Sequence, residues 1–275
     1  MIKAQEAKPA DSLVADSTVS GEASRPRNVA KKTRDLPLTE CKKILIVIPA
    51  FNEAANIGRV LADIKREVPD IPILLVNDGS SDDTERIAGE GGAKVITLPF
   101  NSGYGVALQT GFLYALQKKY SVVLHMDADG QHDARFIKPL LREIEKDDVD
   151  VVIGSRFLGA CKYKAAFLKR LGMLFFGGIA SLITGQKVTD PTSGFQAIKG
   201  KTITFAAGDF YPPDYPDADF IIMLHRHGFR IREIPVAMHP NAENKSMHRG
   251  HKTLYYVFKM ILSIVVTLLR KETRN

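Results

Sequence analysis

Residues 121–132 have the sequence SVVLHMDADGQH, in which a mostly apolar run is followed at once by two aspartates. The run at 121–126 predicts a strand buried on both faces, because apolar residues do not alternate with polar ones. Asp127 and Asp129 follow where the strand ends and the chain turns, so both carboxylates can converge on one cation. Carboxylates suit Mg²⁺ or Mn²⁺, and a diphosphate is the usual partner of such an ion. A hydrogen-bonded turn is the alternative interpretation of this pair.

Similar units surround this stretch. The sequence predicts further strands at 44–48, 71–76, 93–98, 149–154 and 230–236, with helices between successive strands. This alternation predicts βαβ units and a mainly parallel sheet flanked by helices. The polar residues after Ile48, Val76 and Met126 all fall at the carboxyl ends of strands, where such sheets bind ligands.

Three residues in these polar clusters are candidates for ligand binding. Asp78 follows the second strand and can accept hydrogen bonds from a base or a ribose. Gly103 lies in a glycine-containing turn that permits close backbone approach to phosphate or sugar. Arg156 closes the fifth strand, and its guanidinium suits bidentate recognition of phosphate.

The final third of the chain is basic and apolar. Residues 157–275 contain 17 Lys and Arg against 8 Asp and Glu, within a chain of 275 residues and net charge +7. This excess predicts an anionic partner, and a membrane surface fits better than nucleic acid because aliphatic runs, not aromatics, separate the basic residues. The apolar segments 165–185 and 253–269 are interpreted as interfacial helices, with core helices as the alternative. Arg170 borders the first segment, where it suits a lipid head group.

The same patterns bound the domain organisation. We predict a disordered extension at 1–40, a single α/β domain at 41–240 and a basic, apolar, membrane-associating tail with a helix at 241–275. The sequence contains no run of about 18 uncharged apolar residues, so it predicts no membrane-spanning helix. Cys41 and Cys161 lie too far apart in sequence for a CxxC site, which argues against a zinc ribbon or a disulfide scaffold.

Five segments together resemble the family 2 glycosyltransferases, and the nearest branch is the dolichol- or polyprenol-phosphate mannosyltransferase-like group. The resemblance runs from about Lys42 to Met238 and is carried by these segments: IVIPAFNE at 46–53, VNDGS at 76–80, DADGQH at 127–132, GSRF at 154–157 and DPTSGF at 190–195.

This resemblance implies a GT-A (Rossmann-like) fold, an NDP-sugar donor, either GDP- or UDP-linked, and inversion at the anomeric carbon. It implies a lipid-phosphate acceptor of the polyprenyl type and assistance by Mg²⁺ or Mn²⁺. The implied roles are as follows: the nucleotide pocket is lined by Pro49, Phe51, Glu53 and Asp78; metal and diphosphate are held by Asp127, Asp129 and Gln131; and the acceptor phosphate is bound by Arg156 and Arg170.

The chain also departs from the family pattern. Gln196 stands where the family often has arginine, and the glutamate–aspartate base motif is replaced by Asp217-Ala218-Asp219. An already ionised lipid phosphate needs no base, whereas a sugar hydroxyl would need Asp217 or Asp219. Two alternatives therefore stay open: a transferase acting on a saccharide hydroxyl in cell-surface or cell-wall polysaccharide synthesis, and a non-catalytic GT-A scaffold.

The expected location follows from the acceptor. We expect a cytoplasmic protein attached peripherally to the inner face of the cell membrane, with a small membrane protein or a second copy as possible partners. An oxidoreductase or nucleotidyltransferase is disfavoured, because both require a glycine-rich loop after the first strand and residues 49–53 contain no glycine.

Overall fold

The computed structural model describes residues 43–158, 167–239 and 251–269. The predicted extension at 1–40 lies outside these residues, as do residues 241–250 of the predicted tail. The proposed division of the chain at residues 40 and 240 therefore stays a prediction.

Seven strands form one sheet within the described part of the chain, in the order β3-β2-β1-β4-β6-β5-β7. Their bounds are Ile44–Ala50 (β1), Ile73–Asn77 (β2), Lys94–Thr97 (β3), Val122–His125 (β4), Val151–Ser155 (β5), Gln196–Lys199 (β6) and Ile231–Pro235 (β7). The inner strands are buried on both faces, which explains their nearly continuous apolar sequences. The edge strands β3 and β7 are partly exposed.

Helices cover both faces of the sheet. On one face lie Ala54–Glu67 (α1), Thr84–Glu90 (α2) and Ile137–Ile144 (α4), the last preceded by a 3₁₀ turn at Ala134–Phe136. On the other lie Tyr104–Gln117 (α3), Phe167–Thr184 (α5), Lys201–Ala206 (α6), Ala218–Arg226 (α7) and His251–Leu269 (α8). The prediction of a mainly parallel α/β sheet flanked by helices is confirmed.

The strand that the sequence analysis missed is β6. It pairs antiparallel with both β4 and β5, in the middle of the sheet. With only four residues and two polar ones, it lacks the apolar run that marks the other inner strands. Its direction matters for the site, because the residues that precede β6 lie at the same edge as the residues that follow β4.

The carboxyl ends of β1, β2 and β4 meet at this edge. Strand β1 pairs with β2 on one side and with β4 on the other, both parallel. The chain order reverses between these two neighbours, and open α/β sheets bind ligands at such a reversal. The loop 51–53 follows β1 and Asp78 follows β2 directly, and Asp127 follows β4 after Met126.

Asn52 does not cap α1. Asparagine is a preferred N-cap residue, but the helix begins at Ala54 with Glu53 in the capping position. Asn52 has a positive φ of 56°. Its side-chain oxygen accepts a hydrogen bond from Ser81 N at 2.8 Å, so it joins the loop after β1 to the loop after β2.

Both apolar segments of the final third form helices that are buried on one side only. In α5, Phe176 is buried while Leu174 and Phe175 are exposed. In α8, Met260 and Ile264 are buried in the core that α7 shares, while Phe258 and Leu262 are exposed. Within the described residues, no helix combines the length and apolar character that crossing a bilayer requires.

Candidate active site

Asp78 organises the loop that leads into α3. It is almost completely buried, and its two oxygens accept hydrogen bonds from Ser102 N at 2.7 Å and Gly103 N at 2.9 Å. Gly103 has a φ of 109°, and a Cβ there would come within 2.9 Å of the carbonyl oxygen of Pro213. In this structure Gly103 packs against Pro213 and Asp214, and its approach to phosphate or sugar stays a prediction.

Tyr104, which follows Gly103 and begins α3, connects the Asp78 loop to the predicted metal site. Tyr104 donates its hydroxyl to Asp127 Oδ1 at 2.7 Å. On the other side, His132 Nε2 lies 2.9 Å from Asp127 Oδ2. The loop at 101–104 thus spans the distance between the carboxylates of Asp78 and Asp127.

Asp127 is held in its ionised form. Burial acts to raise its pKa, but hydrogen bonds from His132 and Tyr104 outweigh that effect and lower its pKa to about 2. The pKa of Tyr104 is raised well above its usual value by burial and by the Asp127 charge. At neutral pH, the pair is therefore a carboxylate that accepts and a neutral phenol that donates.

Gly194 packs directly on this carboxylate. A Cβ at Gly194 would lie 2.5 and 2.6 Å from the two Asp127 oxygens and 2.8 Å from the Tyr104 hydroxyl. The antiparallel direction of β6 explains this contact, since Gly194 precedes that strand. The resemblance included Gly194 as part of a motif, and the structure supplies a steric reason why a side chain would not fit there.

Asp129 and Gln131 follow in the same turn. Asp129 Oδ1 accepts a hydrogen bond from Gln131 N at 2.9 Å, and both residues are partly exposed. Gly130 between them has a φ of 73°, which glycine adopts without strain. The turn thus keeps both aspartates at the edge of the sheet, each with part of its side chain accessible.

The residues predicted for the nucleotide pocket surround the loop after β1. Pro49 is buried within β1, and Phe51 is 45% exposed at the sheet edge. Glu53 accepts a hydrogen bond from Asn56 Nδ2 at 2.8 Å, and its backbone N donates to Thr84 Oγ1 at 2.8 Å. Phe51 is the one of these three that presents a large apolar surface to solvent.

Arg156 lies in a different environment from that expected of a phosphate ligand. Its side chain is 8% exposed and forms a bidentate ion pair with Asp190, which is fully buried, through bonds of 2.6 and 2.5 Å. It also donates to Thr192 Oγ1 at 2.7 Å. The positive charge of Arg156 is therefore compensated within the protein, and its role toward an acceptor phosphate stays a prediction. The side chain of Arg170 lies outside the described residues.

The two candidate bases differ in what they contact. Asp219 is 1% exposed and accepts hydrogen bonds from Asp217 N, Phe220 N and Ser263 Oγ of α8. Burial raises the pKa of Asp219. Asp217 is half-buried, and its charge contributes to the raised pKa of Tyr104. Asp219 is therefore engaged by the start of α7 and by α8, whereas part of Asp217 stays accessible.

The donor set fits a cation that is shared with a substrate. Across residues 43–158, 167–239 and 251–269, no three His, Cys, Asp or Glu side chains are grouped so as to hold a metal by themselves. Mg²⁺ in nucleotide sites is commonly held by one or two carboxylates together with substrate phosphates and water. Asp127 and Asp129, both hard oxygen donors, fit that second arrangement.

Sequence reasoning missed three partners at this site. Tyr104 and His132 were noticed only as members of motifs, and Asp190 was not expected to neutralise Arg156. Tyr104 and Asp127 are 23 residues apart, and Arg156 and Asp190 are 34 apart. No local pattern predicts contacts of such separation, whereas His132 is only five residues from Asp127 and lies in the same 127–132 segment.

Comparison with known proteins places the chain in a family. Residues 45–203 match the family described as Glycosyl transferase family 2. An uncharacterized protein of Methanocaldococcus jannaschii is 34% identical over 209 residues, which cover 74% of this chain and 86% of the relative. The undecaprenyl-phosphate mannosyltransferase of Micrococcus luteus is 29% identical over 202 residues, covering 70% of this chain and 82% of the relative.

Among solved structures, the fold is similar to glucosyl-3-phosphoglycerate synthase from Mycobacterium tuberculosis in complex with Mn²⁺, UDP and phosphoglyceric acid. The TM-score is 0.63 at 18% identity, and the match covers 84% of this chain and 80% of that one. The likeness concerns the fold.

Proposed function

The chain belongs to glycosyl transferase family 2, and on that premise we propose that it transfers a sugar from an NDP-sugar to a polyprenyl-phosphate-type lipid. The predicted family and its polyprenol-phosphate branch are confirmed by the family match and by the names of relatives. The GT-A fold and the assignment as a glycosyltransferase are confirmed as well.

One observation supports the proposal most strongly. At the meeting point of β1, β2 and β4, Asp78 fixes the loop whose next residue, Tyr104, hydrogen-bonds Asp127. Asp127 and Asp129 then present carboxylates at the edge where such sheets bind nucleotides. A donor laid across this edge would place its nucleoside near Asp78 and Phe51 and its diphosphate near the two aspartates.

In this mechanism, Asp127, Asp129 and Gln131 would bind a divalent cation and the donor's diphosphate. The cation, when bound, neutralises the charge that develops on the departing NDP. The acceptor oxygen forms its bond to the anomeric carbon as the bond to the NDP oxygen breaks, and attack from the opposite face inverts the configuration. The protein contributes by fixing the carboxylates before the substrates arrive.

Two observations favour a lipid-phosphate acceptor. The final third is basic, and relatives carry names that specify undecaprenyl or dolichyl phosphate. A phosphate oxygen is already anionic at pH 7, so no group has to remove a proton. Arg156 and Arg170 remain the proposed phosphate ligands. Arg156 would have to bind the phosphate without giving up its ion pair with Asp190.

Transfer to a sugar hydroxyl is the second candidate, and it would need Asp217 or Asp219 as base. Asp219 is 1% exposed and accepts three hydrogen bonds, whereas Asp217 is only half-buried, so accessibility favours Asp217. We expect Asp129→Asn to abolish transfer, and Asp217→Asn and Asp219→Asn each to leave most of it. A loss of about 10²-fold or more in Asp217→Asn, measured as initial rates at saturating donor, would favour the hydroxyl acceptor.

We also propose peripheral attachment to the inner face of the membrane. Exposed apolar residues lie on α5 and on α8, two helices that both contact α7. An interfacial helix buries such a face at the boundary of head groups and acyl chains. A lipid acceptor would reach the protein from that boundary.

A panel of NDP-sugars tests the proposed function. The full chain is incubated with each GDP- or UDP-sugar, Mg²⁺ or Mn²⁺ and polyprenyl phosphate, and lipid-linked sugar is detected by mass spectrometry. Product that requires wild-type Asp129 supports the proposal. Donor hydrolysis without lipid product favours another acceptor. If neither hydrolysis nor lipid product is detected, with or without metal, a non-catalytic scaffold is favoured.

A further inference from the structure

Two side chains from different parts of the chain contact the Asp127 carboxylate, one on each oxygen. Tyr104, the first residue of α3, donates to Oδ1 at 2.7 Å. His132, beyond the turn that contains Asp129, lies 2.9 Å from Oδ2 through its Nε2. The carboxylate is therefore fixed against rotation from both sides.

The direction of both hydrogen bonds is determined by the carboxylate. An ionised carboxylate can only accept, so we assign a proton to His132 Nε2 as well as to the Tyr104 hydroxyl. Two oxygens provide about four lone-pair directions, and these bonds use two of them. The remaining directions are available to a cation.

The surroundings of His132 fix its ring in turn. Its side chain is 2% exposed, and the ring packs against Phe195 with centroids 4.9 Å apart. An isolated antiparallel bridge with Met238 also holds the His132 backbone. In the described part of the chain, Nδ1 is buried and has no hydrogen-bond partner, so the contact with Asp127 is the polar interaction that this ring makes there.

We propose that Tyr104 and His132 are positioning residues that orient the Asp127 carboxylate toward the divalent cation and the donor's diphosphate. The inference rests on the proposed function, since it assumes that Asp127 binds this pair. Residues that hydrogen-bond a metal ligand typically contribute about 10- to 100-fold to metal affinity. We expect that range for the loss of either donor.

Four variants separate positioning from a general contribution to folding. Tyr104→Phe and His132→Leu each remove one donor while keeping most of the side-chain volume. His132→Gln keeps an amide N–H that can reach a similar position, so it should retain affinity. Tyr114→Phe is the matched control, because it removes a hydroxyl from the same helix, where the ring stacks on Tyr120 and not on the site.

The measurement is the binding of Mn²⁺ in the presence of GDP or UDP, followed by the loss of the free-ion electron paramagnetic resonance signal. Tyr104→Phe and His132→Leu should weaken binding about 10- to 100-fold, while His132→Gln and Tyr114→Phe stay within about threefold of wild type. Thermal unfolding of each variant is recorded in the absence of Mn²⁺. An affinity loss in a variant that keeps the wild-type midpoint supports positioning.

Two contrary results are distinguishable. If Asp127→Asn abolishes Mn²⁺ binding but Tyr104→Phe and His132→Leu bind as tightly as wild type, the inference is wrong and the proposed function stands. If Asp127→Asn binds Mn²⁺ and nucleotide like wild type, the proposed function is wrong, and the positioning role fails with it.

Discussion

At the level of single residues, the most demanding position is Gly194. The backbone of Gly194 lies against the Asp127 carboxylate and the Tyr104 hydroxyl, within distances that leave no room for a methyl group. The site therefore depends on an absent side chain as much as on the charged ones.

We predict that Gly194→Ala displaces Asp127. The added methyl must push the carboxylate or Tyr104 aside, which should cost about 1–3 kcal/mol of unfolding free energy and weaken nucleotide-dependent Mn²⁺ binding. Gly178→Ala is the control, since a Cβ there meets nothing within 4 Å on an exposed part of α5. Urea unfolding and Mn²⁺ titration measure both effects, and unchanged Mn²⁺ affinity in Gly194→Ala would contradict this description of the site.

Asp219 leads to a prediction about pH. Because burial raises its pKa in the folded protein, the folded state binds more protons than the unfolded state between pH about 4 and that raised pKa. Stability from this group therefore falls as pH rises through that window, by about 1.4 kcal/mol for each unit by which the pKa is raised. Tyr211 and Asp217 are its titratable neighbours, and both remain in the variant.

We expect Asp219→Asn to remove that pH dependence. The amide can still accept from Asp217 N and Phe220 N, and Ser263 can accept from it in return. Urea unfolding of both proteins from pH 4 to 8 should show wild type losing stability relative to the variant as pH rises. Parallel curves would mean that Asp219 titrates normally.

At the level of elements, Arg156 and Asp190 join the end of β5 to the segment that precedes β6. Removing one partner of a buried ion pair leaves an uncompensated charge in the protein interior. We predict that Asp190→Asn lowers the unfolding free energy by about 3–5 kcal/mol. Denaturant unfolding at neutral pH measures the change.

An exposed ion pair provides the comparison. Asp63 pairs with Arg66 on the surface of α1, where both side chains are largely solvated. Asp63→Asn should change stability by less than about 1 kcal/mol. If both substitutions cost the same, the pair formed by Arg156 and Asp190 is not the buried connection described above.

Sequence reasoning succeeded for elements with a strong local pattern. The apolar runs of β1, β2, β4 and β5 predicted buried strands, and their order along the chain predicted where the polar loops meet. Strand β6 has no such run, and its antiparallel place between β4 and β5 depends on pairing with distant residues. For the same reason, the local motifs included Asp127 and Gly194 but did not predict that they touch.

At the level of the whole molecule, the exposed apolar residues of α5 and α8 predict membrane binding. Phe175 is 52% exposed and Phe258 is 63% exposed. Inserting a phenylalanine side chain into an apolar phase contributes about 1.5–3 kcal/mol, so replacing both with glutamate should weaken vesicle binding at least tenfold.

Flotation with vesicles that contain anionic lipid measures this binding. Leu113→Glu is the control, since Leu113 is 53% exposed on α3 and is not part of the two surfaces. Equal binding by all three proteins would assign the attachment elsewhere, and absence of wild-type binding would contradict peripheral attachment.

The claim on which the account depends is that Asp127 and Asp129 share a divalent cation with the donor's diphosphate. Anomalous diffraction from crystals grown with Mn²⁺ and GDP or UDP tests it directly. The account predicts one Mn²⁺ peak within coordination distance of an oxygen from these aspartates and of the diphosphate. Diphosphate bound at this edge of the sheet with Mn²⁺ elsewhere, or with no Mn²⁺ at all, would contradict it.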